Sequence, residues 1–320
     1  MKSLPILLML APACFAQEEP TIKVDVNLVN VLCSVRNKGN GLVGNLEKGD
    51  FQVFEDGKPQ DIKYFTRETD LPLTIGLLVD TSGSQGRLLE DERRAAYQFF
   101  SKVLRKKDLA FLMQFGTEAE LLQDETNSPR LLQEGLNQLH MSVPVGGLNP
   151  GPVPTQHNQA GTVLFDAVYL AATEKLNTET GRKTVVLITD GVDEGSKLSR
   201  DKSIEAAQKA DTIIYSIDYE DPAFHGGGFG RITIGGGQGV ADLNKMSSET
   251  GGRVFKVDRH MSLDDIFRDL QDEMRSQYSI SYAPPNGKKD GAYHKIEIRV
   301  AQKDYKVQAR KGYYAIETGN

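Results

Sequence analysis

Apolar and polar residues change rhythm twice along this chain. Between residues 21 and 68 they alternate. Ile22, Val24, Val26 and Leu28 stand two apart, the period of a strand with one buried face. Phe51-Gln52-Val53-Phe54 and Ile62-Lys63-Tyr64-Phe65 continue in β character and flank Glu55-Asp56-Gly57-Lys58-Pro59. The Asp-Gly pair predicts a hairpin turn. From 71 to 276 the pattern is different. Largely apolar runs at 73–79, 109–115, 184–188, 212–217 and 253–257 predict strands, the clearest of them buried on both faces as in a parallel sheet. Helix-like stretches separate them. Leu88, Leu89, Ala95, Ala96, Phe99, Phe100, Val103 and Leu104 recur at three- and four-residue steps and predict a helix over 86–105. Val163, Leu164, Ala167, Val168 and Ala171 predict a second, and Ile204 and Ala207 a shorter one. Leu263, Ile266, Phe267, Leu270 and Met274 predict the last, with Ser262 as its N-cap three residues before Asp265. Residues 277–311 return to alternation, in Tyr278, Ile280 and Tyr282, then Ile296, Ile298 and Val300, then Tyr305, Val307 and Ala309. Pro284-Pro285-Asn286-Gly287 is turn chemistry.

Strands alternating with helices predict an α/β fold with a doubly wound, mostly parallel sheet. The two short β blocks that bracket it have too few strands to bury a good core alone. The economical arrangement is one small β-sandwich made of 17–70 and 277–320, with an α/β domain of 71–276 inserted into it. Two segments carry no periodicity. Residues 141–160 hold several Pro and Gly and read as a long surface loop. Residues 225–239 are dense in glycine but lack G-x-G-x-x-G and a Walker lysine, so they read as a flexible loop rather than a phosphate cradle.

Composition narrows the class. The 320 residues are 39% hydrophobic and 26% charged, an ordinary globular balance with room for two domains. Net charge is -6 and no basic block stands out, which argues against nucleic acid as a partner. The first sixteen residues differ from the rest. Lys2, the apolar stretch at 4–12 and Cys14-Phe15-Ala16 before Gln17 read as a signal peptide, too short to span a bilayer. Export to the periplasm or outside the cell is therefore expected, with no later membrane span. Removal of residues 1–16 leaves Cys33 as the single cysteine, placed as a core thiol in a strand. Cys14 as a lipid attachment site is a minor alternative, since Leu10-Ala11-Pro12-Ala13 lacks the large aliphatic residue expected three positions ahead of it.

The candidate chemistry lies where buried strands end. Asp80-Thr81-Ser82-Gly83-Ser84 follows the run 73–79, and Thr189-Asp190-Gly191 follows 184–188. Gly161-Thr162 precedes a helix, so a hydroxyl stands at a loop-to-helix junction. Open α/β sheets bind ligands at the carboxyl ends of their strands. Carboxylates and hydroxyls offer only hard oxygen donors, which suit Mg²⁺, Mn²⁺ or Ca²⁺. Read without the ion, Ser82 and Ser84 cap a helix starting near Gln85, and Asp190 is a turn residue.

These three pieces in this order resemble the von Willebrand factor A-type domain over about 71–276. The flanking Asp50-Phe51, Glu55-Asp56-Gly57-Lys58 and Gly312-Tyr313-Tyr314 look like a bacterial secreted subgroup of it. The resemblance implies a metal-ion-dependent adhesion site. Ser82, Ser84 and Thr162 would contact a divalent cation directly or through water, and Asp80 and Asp190 would anchor it partly through waters. It implies Mg²⁺ first, with Mn²⁺ or Ca²⁺ as alternatives, and a protein partner captured through an acidic side chain. Some relatives carry a second ion site just after the serines. Here Gln85-Gly86-Arg87-Leu88 follows, so that second site is not carried over. Asp193 and Glu194 are not read as ligands.

Enzyme readings fare worse. A phosphatase of the haloacid dehalogenase type needs a second carboxylate two residues after its aspartate, and Ser82 stands there. No G-x-S-x-G elbow and no H-E-x-x-H pair occurs, and the five histidines read as surface residues. The expectation is a non-enzymatic interaction module. A scaffold with a dispensable site is the alternative, and a metal-assisted hydrolase the more remote one.

Overall fold

The computed structural model describes residues 28–68, 71–83, 88–142, 161–219, 236–285 and 290–316. The proposed signal peptide, Cys14 and the predicted strand residues 22–27 lie outside them, as do Ser84, residues 143–160 and residues 220–235.

The central sheet is built from β5 (Leu73–Asp80), β6 (Leu109–Phe115), β7 (Ala119–Thr126), β8 (Arg182–Thr189), β9 (Thr212–Asp218) and β10 (Val254–Lys256). Their order is β10-β9-β8-β5-β6-β7, and every pairing is parallel except that of the edge strand β7. Helices wind both faces. Ile75, Leu77 and Val79 face α1 (Leu89–Val103), α2 (Pro129–Leu136) and α6 (Leu263–Arg275) in one apolar cluster. Leu78, Val185 and Leu187 face α3 (Leu164–Leu170), α4 (Arg200–Lys209) and α5 (Gly236–Thr250) in another. Successive strand residues thus serve opposite layers, which is why β5 and β8 read as continuous apolar runs and are buried throughout.

Two antiparallel sheets enclose a third core. One has the order β13-β1-β11-β4, from β1 (Val29–Arg36), β4 (Ile62–Glu68), β11 (Gln277–Tyr282) and β13 (Lys306–Ala309). The other has the order β14-β12-β2-β3, from β2 (Phe51–Glu55), β3 (Lys58–Gln60), β12 (Tyr293–Val300) and β14 (Gly312–Tyr314). The N-terminal and C-terminal β blocks therefore complete each other's sheets. Cys33, Phe51, Val53, Tyr278, Ile280 and Ile298 fill the space between. Burial pushes the Cys33 thiol up to about 12, so it stays protonated and unreactive at neutral pH.

The Asp56-Gly57 turn has positive φ at both positions, 49° and 78°, as the tight hairpin between β2 and β3 requires. The partner of 51–54 is β3, however. Ile62–Glu68 crosses to the other sheet and pairs with β11. The Ser262 N-cap is present as a full capping box with Asp265. The chain departs from the periodic reading in β7 and α2, which the apolar pattern did not predict, and in α3, which continues as a π-helical turn through Ala171–Leu176. Residues 236–239, assigned to a flexible loop, instead open α5, a helix the apolar pattern did not predict.

A buried charge cluster joins the sandwich to the α/β unit. Glu273 of α6 has no exposure. It accepts from Arg36 Nη2 at 2.6 Å, Arg253 Nε at 2.8 Å, Ser34 Oγ at 3.1 Å and Tyr215 OH at 3.3 Å. Asp269, one turn earlier, accepts from the same Arg36 Nη2 at 3.1 Å and from Arg253 Nη2 at 2.6 Å.

Candidate metal site

The carboxyl ends of the parallel strands lie level. Asp80 pairs with Phe115, Val79 with Ile188 and Thr189 with Asp218. Whatever follows these residues in the chain therefore gathers at one edge of the sheet. Asp80 is the last residue of β5 and has no solvent exposure. Its Oδ2 accepts from Thr189 Oγ1 at 2.6 Å, and its Oδ1 accepts from the Ser82 backbone N–H at 2.9 Å. The Ser82 bond closes a small Asx-type turn that orients the loop. Thr189 in turn accepts from Gly191 N–H at 3.0 Å, so the first loop is tied through two side chains to the Asp190 loop.

Thr162 joins the same group of loops. Its carbonyl accepts from Glu194 N and Gly195 N, both at 3.1 Å, and Val163 N donates to Gly116 O at 2.8 Å beyond the end of β6. Thr81 closes the ring, with its N–H to Phe115 O at 2.7 Å and its hydroxyl sharing a hydrogen bond with Ser142 Oγ at 2.9 Å. Asp190 is half-buried, and its Oδ1 accepts from Val192 N at 3.0 Å. Gly191 has φ +79°, and a Cβ there would meet Gly239 O at 2.6 Å. The loop can lie against the start of α5 only because neither chain carries a side chain there.

Among the predicted site residues, Asp80, Ser82, Thr162 and Asp190 thus stand on loops bonded to one another, while Ser84 lies outside the described residues. The capping alternative, a helix starting near Gln85, falls on residues 84–87, which lie outside the described residues. Helix α1 begins at Leu89, and its N-cap residue, Leu88, supplies no side-chain bond. Asp193 has a structural task. Its Oδ1 accepts from Phe165 N at 3.2 Å and Ser196 Oγ at 2.5 Å, and Ser196 Oγ accepts from Phe165 N and Asp166 N, which caps α3 from a neighbouring loop.

The electrostatics of the site suit a cation. Burial pushes the Asp80 carboxyl up to about 7; the Thr189 bond pulls it down, and the nearby negative charge of Asp190 pushes it up again. No lysine or arginine among the described residues pairs with Asp80. A buried carboxylate held by a hydroxyl and an N–H keeps free lone pairs on both oxygens. Ser82, Thr162 and Asp190, on the loops bonded to it, likewise offer only oxygen donors, the kind a hard dication takes. Thr189 and Thr81 were not singled out in the sequence. Their signal was present, since each is a hydroxyl beside a strand-terminal position.

A separate group lies at the sandwich hairpin, where Glu55, Asp56 and His294 bring ligand-type atoms within 4.8 Å. Its carboxylates already accept from neighbouring donors. Tyr282 OH donates to Glu55 Oε2 at 2.7 Å, and His294 Nδ1 meets Asp56 Oδ2 at 2.9 Å, which holds Asp56 below the usual carboxylate range. His294 also stacks on Tyr313, 5.5 Å between ring centres, so it is a packed residue and not the free surface histidine the sequence suggested.

No family model matches the chain, and no curated protein does. Solved structures do resemble it. A von Willebrand factor type A protein from Catenulispora acidiphila is 11% identical, with a TM-score of 0.48 over 92% of this chain and 75% of that one. An aerotolerance-related membrane protein from Bacteroides fragilis is 16% identical, with a TM-score of 0.44 over 63% and 98%. Proximal thread matrix protein 1 of the mussel byssus, in a form with a zinc-occupied MIDAS motif, is 14% identical, with a TM-score of 0.46 over 69% and 50%. At these identities and scores the fold assignment rests on the strand order of the chain itself.

Proposed function

We propose that this chain is a cation-dependent interaction module of the von Willebrand factor A type. Asp80, Ser82, Ser84, Thr162 and Asp190 hold the ion, with Mg²⁺ the first choice and Mn²⁺ or Ca²⁺ the alternatives. The observation that carries this reading is Asp80, a fully buried carboxylate at the edge where three bonded loops meet, without a basic partner among the described residues. A bound hard dication with one position left to water accepts an acidic oxygen from another protein. The chain's own residues arrange that position. Thr189 and the Ser82 N–H fix the Asp80 carboxylate, and the Thr162 carbonyl fixes the Asp190 loop.

The proposal includes export through residues 1–16 and a unit of 71–276 set into the sandwich. No helix among the described residues is long and apolar enough to cross a membrane. The rigid, charge-paired junction at Glu273 favours a second reading, an assembly scaffold whose ion site is dispensable. The two readings part in one experiment. Immobilised protein is expected to retain envelope proteins in Mg²⁺ and to release them in EDTA, and Asp190→Ala is expected to retain none of them. Retention that survives EDTA and Asp190→Ala sinks the cation-dependent reading and leaves the scaffold.

A further inference from the structure

Helix α1 opens on Glu90, Asp91 and Glu92. Acidic residues in a first turn are ordinary, because they complement the helix dipole and face solvent. Glu90 is exposed, but Glu92 has no exposure at all, and neither of its carboxylate oxygens has a hydrogen-bond partner. An ionised carboxylate removed from water is kept only where a charge or a metal compensates it.

Burial pushes the Glu92 carboxyl well above the usual range, and the Arg93 charge pulls it back only in part, since no chain neighbour hydrogen-bonds it. Arg93 sends Nε to Leu136 O at 3.1 Å, Nη2 to the Leu139 carbonyl and Nη1 to Glu90. Arg94 pairs with Asp91 at 3.1 Å and Asp264 at 3.8 Å. Helix α1 is the crossover between the parallel neighbours β5 and β6, so its first turn stands at the sheet edge where β5 ends. Glu92 is therefore presented to the strand end that delivers Asp80, and the negative charge of Asp80 reaches it.

We propose that Glu92 is a third carboxylate of the cation site, a counter-charge that acts on the hydrated divalent ion from the α1 side. The inference rests on the cation reading above and adds a residue to it. Asp80 and Asp190 alone balance a dication, and a third carboxylate leaves one negative charge over. The site then retains its ion more firmly and pulls less strongly on a partner's carboxylate.

The test is Mn²⁺ titration of the full chain by calorimetry. Glu92→Gln keeps the shape and removes the charge. It is expected to weaken Mn²⁺ binding by at least about tenfold, as loss of an outer carboxylate does at metal sites. It is also expected to raise the melting temperature of the metal-free protein. Folded Glu92→Gln with unchanged Mn²⁺ affinity overturns the proposal while leaving the cation reading intact. Wild-type protein that binds no Mn²⁺ overturns both. Should Glu92→Gln fail to fold by circular dichroism, wild-type protein with ¹³C-labelled glutamate decides. One equivalent of Mn²⁺ is expected to broaden the Glu92 carboxyl resonance away, and a sharp resonance overturns the proposal.

Discussion

Asp80→Asn is expected to make the metal-free protein more stable at pH 8 and, in the same stroke, to abolish its response to divalent cations. The sign follows from the direction of the shift. Burial raises the Asp80 carboxyl from an ordinary 3.8 to about 7 in the folded chain. A group raised on folding contributes stability that is complete below the unfolded value and is lost as pH climbs through the folded one. Between pH 4 and pH 8 the metal-free wild type should thus lose on the order of 4 kcal/mol through this one group. Asparagine carries no charge to desolvate, so its curve should be flatter across that window. Its amide can still accept the Ser82 N–H, and the Thr189 hydroxyl can turn to accept from Nδ2. In wild-type protein a bound dication would replace the lost stability at pH 8, and in Asp80→Asn it would not. Urea unfolding in EDTA and in Mg²⁺, at pH 5 and pH 8, measures all of this. Parallel pH profiles for the two proteins would show that Asp80 is not the buried, uncompensated group described above.

Glu273→Ala is expected to cost about 3–5 kcal/mol, because it leaves buried positive charge without its counter-ion. Arg36 is buried and Arg253 partly so, and both aim a guanidinium at the Glu273 carboxylate. Asp269 is about a quarter exposed and still contacts both arginines, which keeps the loss from rising further. Arg36 comes from β1 and Glu273 from α6, so the variant also loosens the sandwich from the α/β unit. Wild-type protein should unfold in one transition in urea, and Glu273→Ala should shift it to lower urea or split it in two. A loss below about 1 kcal/mol, the scale of an exposed pair, would mean that this junction does not hold the two parts together.

Much of the fold was legible in the apolar pattern, for a definite reason. Strands β5 and β8 are covered by helices on both faces, so they show as unbroken apolar runs. Helix α6 shows both its stripe and its Ser262 cap. The pattern fails where burial is partial. Edge strand β7 is mostly exposed or half-buried along Ala119–Thr126, and no period survives there. Helix α2 is only eight residues long, although Ser128 before Pro129 was a readable start, and Ser128 Oγ does accept from Leu131 N–H. The transfer of Ile62–Glu68 to the opposite sheet was invisible, because alternation says which face is buried but not which strand is the partner.

The candidate site was legible as residue types at strand ends. Asp80, Thr162 and Asp190 could be placed at one edge because parallel strands put their carboxyl ends together. What binds the loops together was not legible, since the Thr189–Asp80 and Thr162–Gly195 bonds join residues distant in the chain. Glu92 is the instructive case. In the sequence it stands among three acidic residues at the start of a helix, Glu90, Asp91 and Glu92. Its spacing from Leu89, Ala95, Ala96 and Phe99 nevertheless puts it in phase with the apolar stripe. A charged residue in phase with a core face is a signal that the periodicity carried and the composition hid.

The most direct test of the cation site is calorimetric titration of the full chain with Mg²⁺ at pH 8, with Asp80→Ala beside it. One cation is expected to bind per wild-type chain and none to Asp80→Ala. Absence of binding by the wild type, or equal binding by both proteins, would contradict an ion held at the edge where Asp80, Thr162 and Asp190 meet.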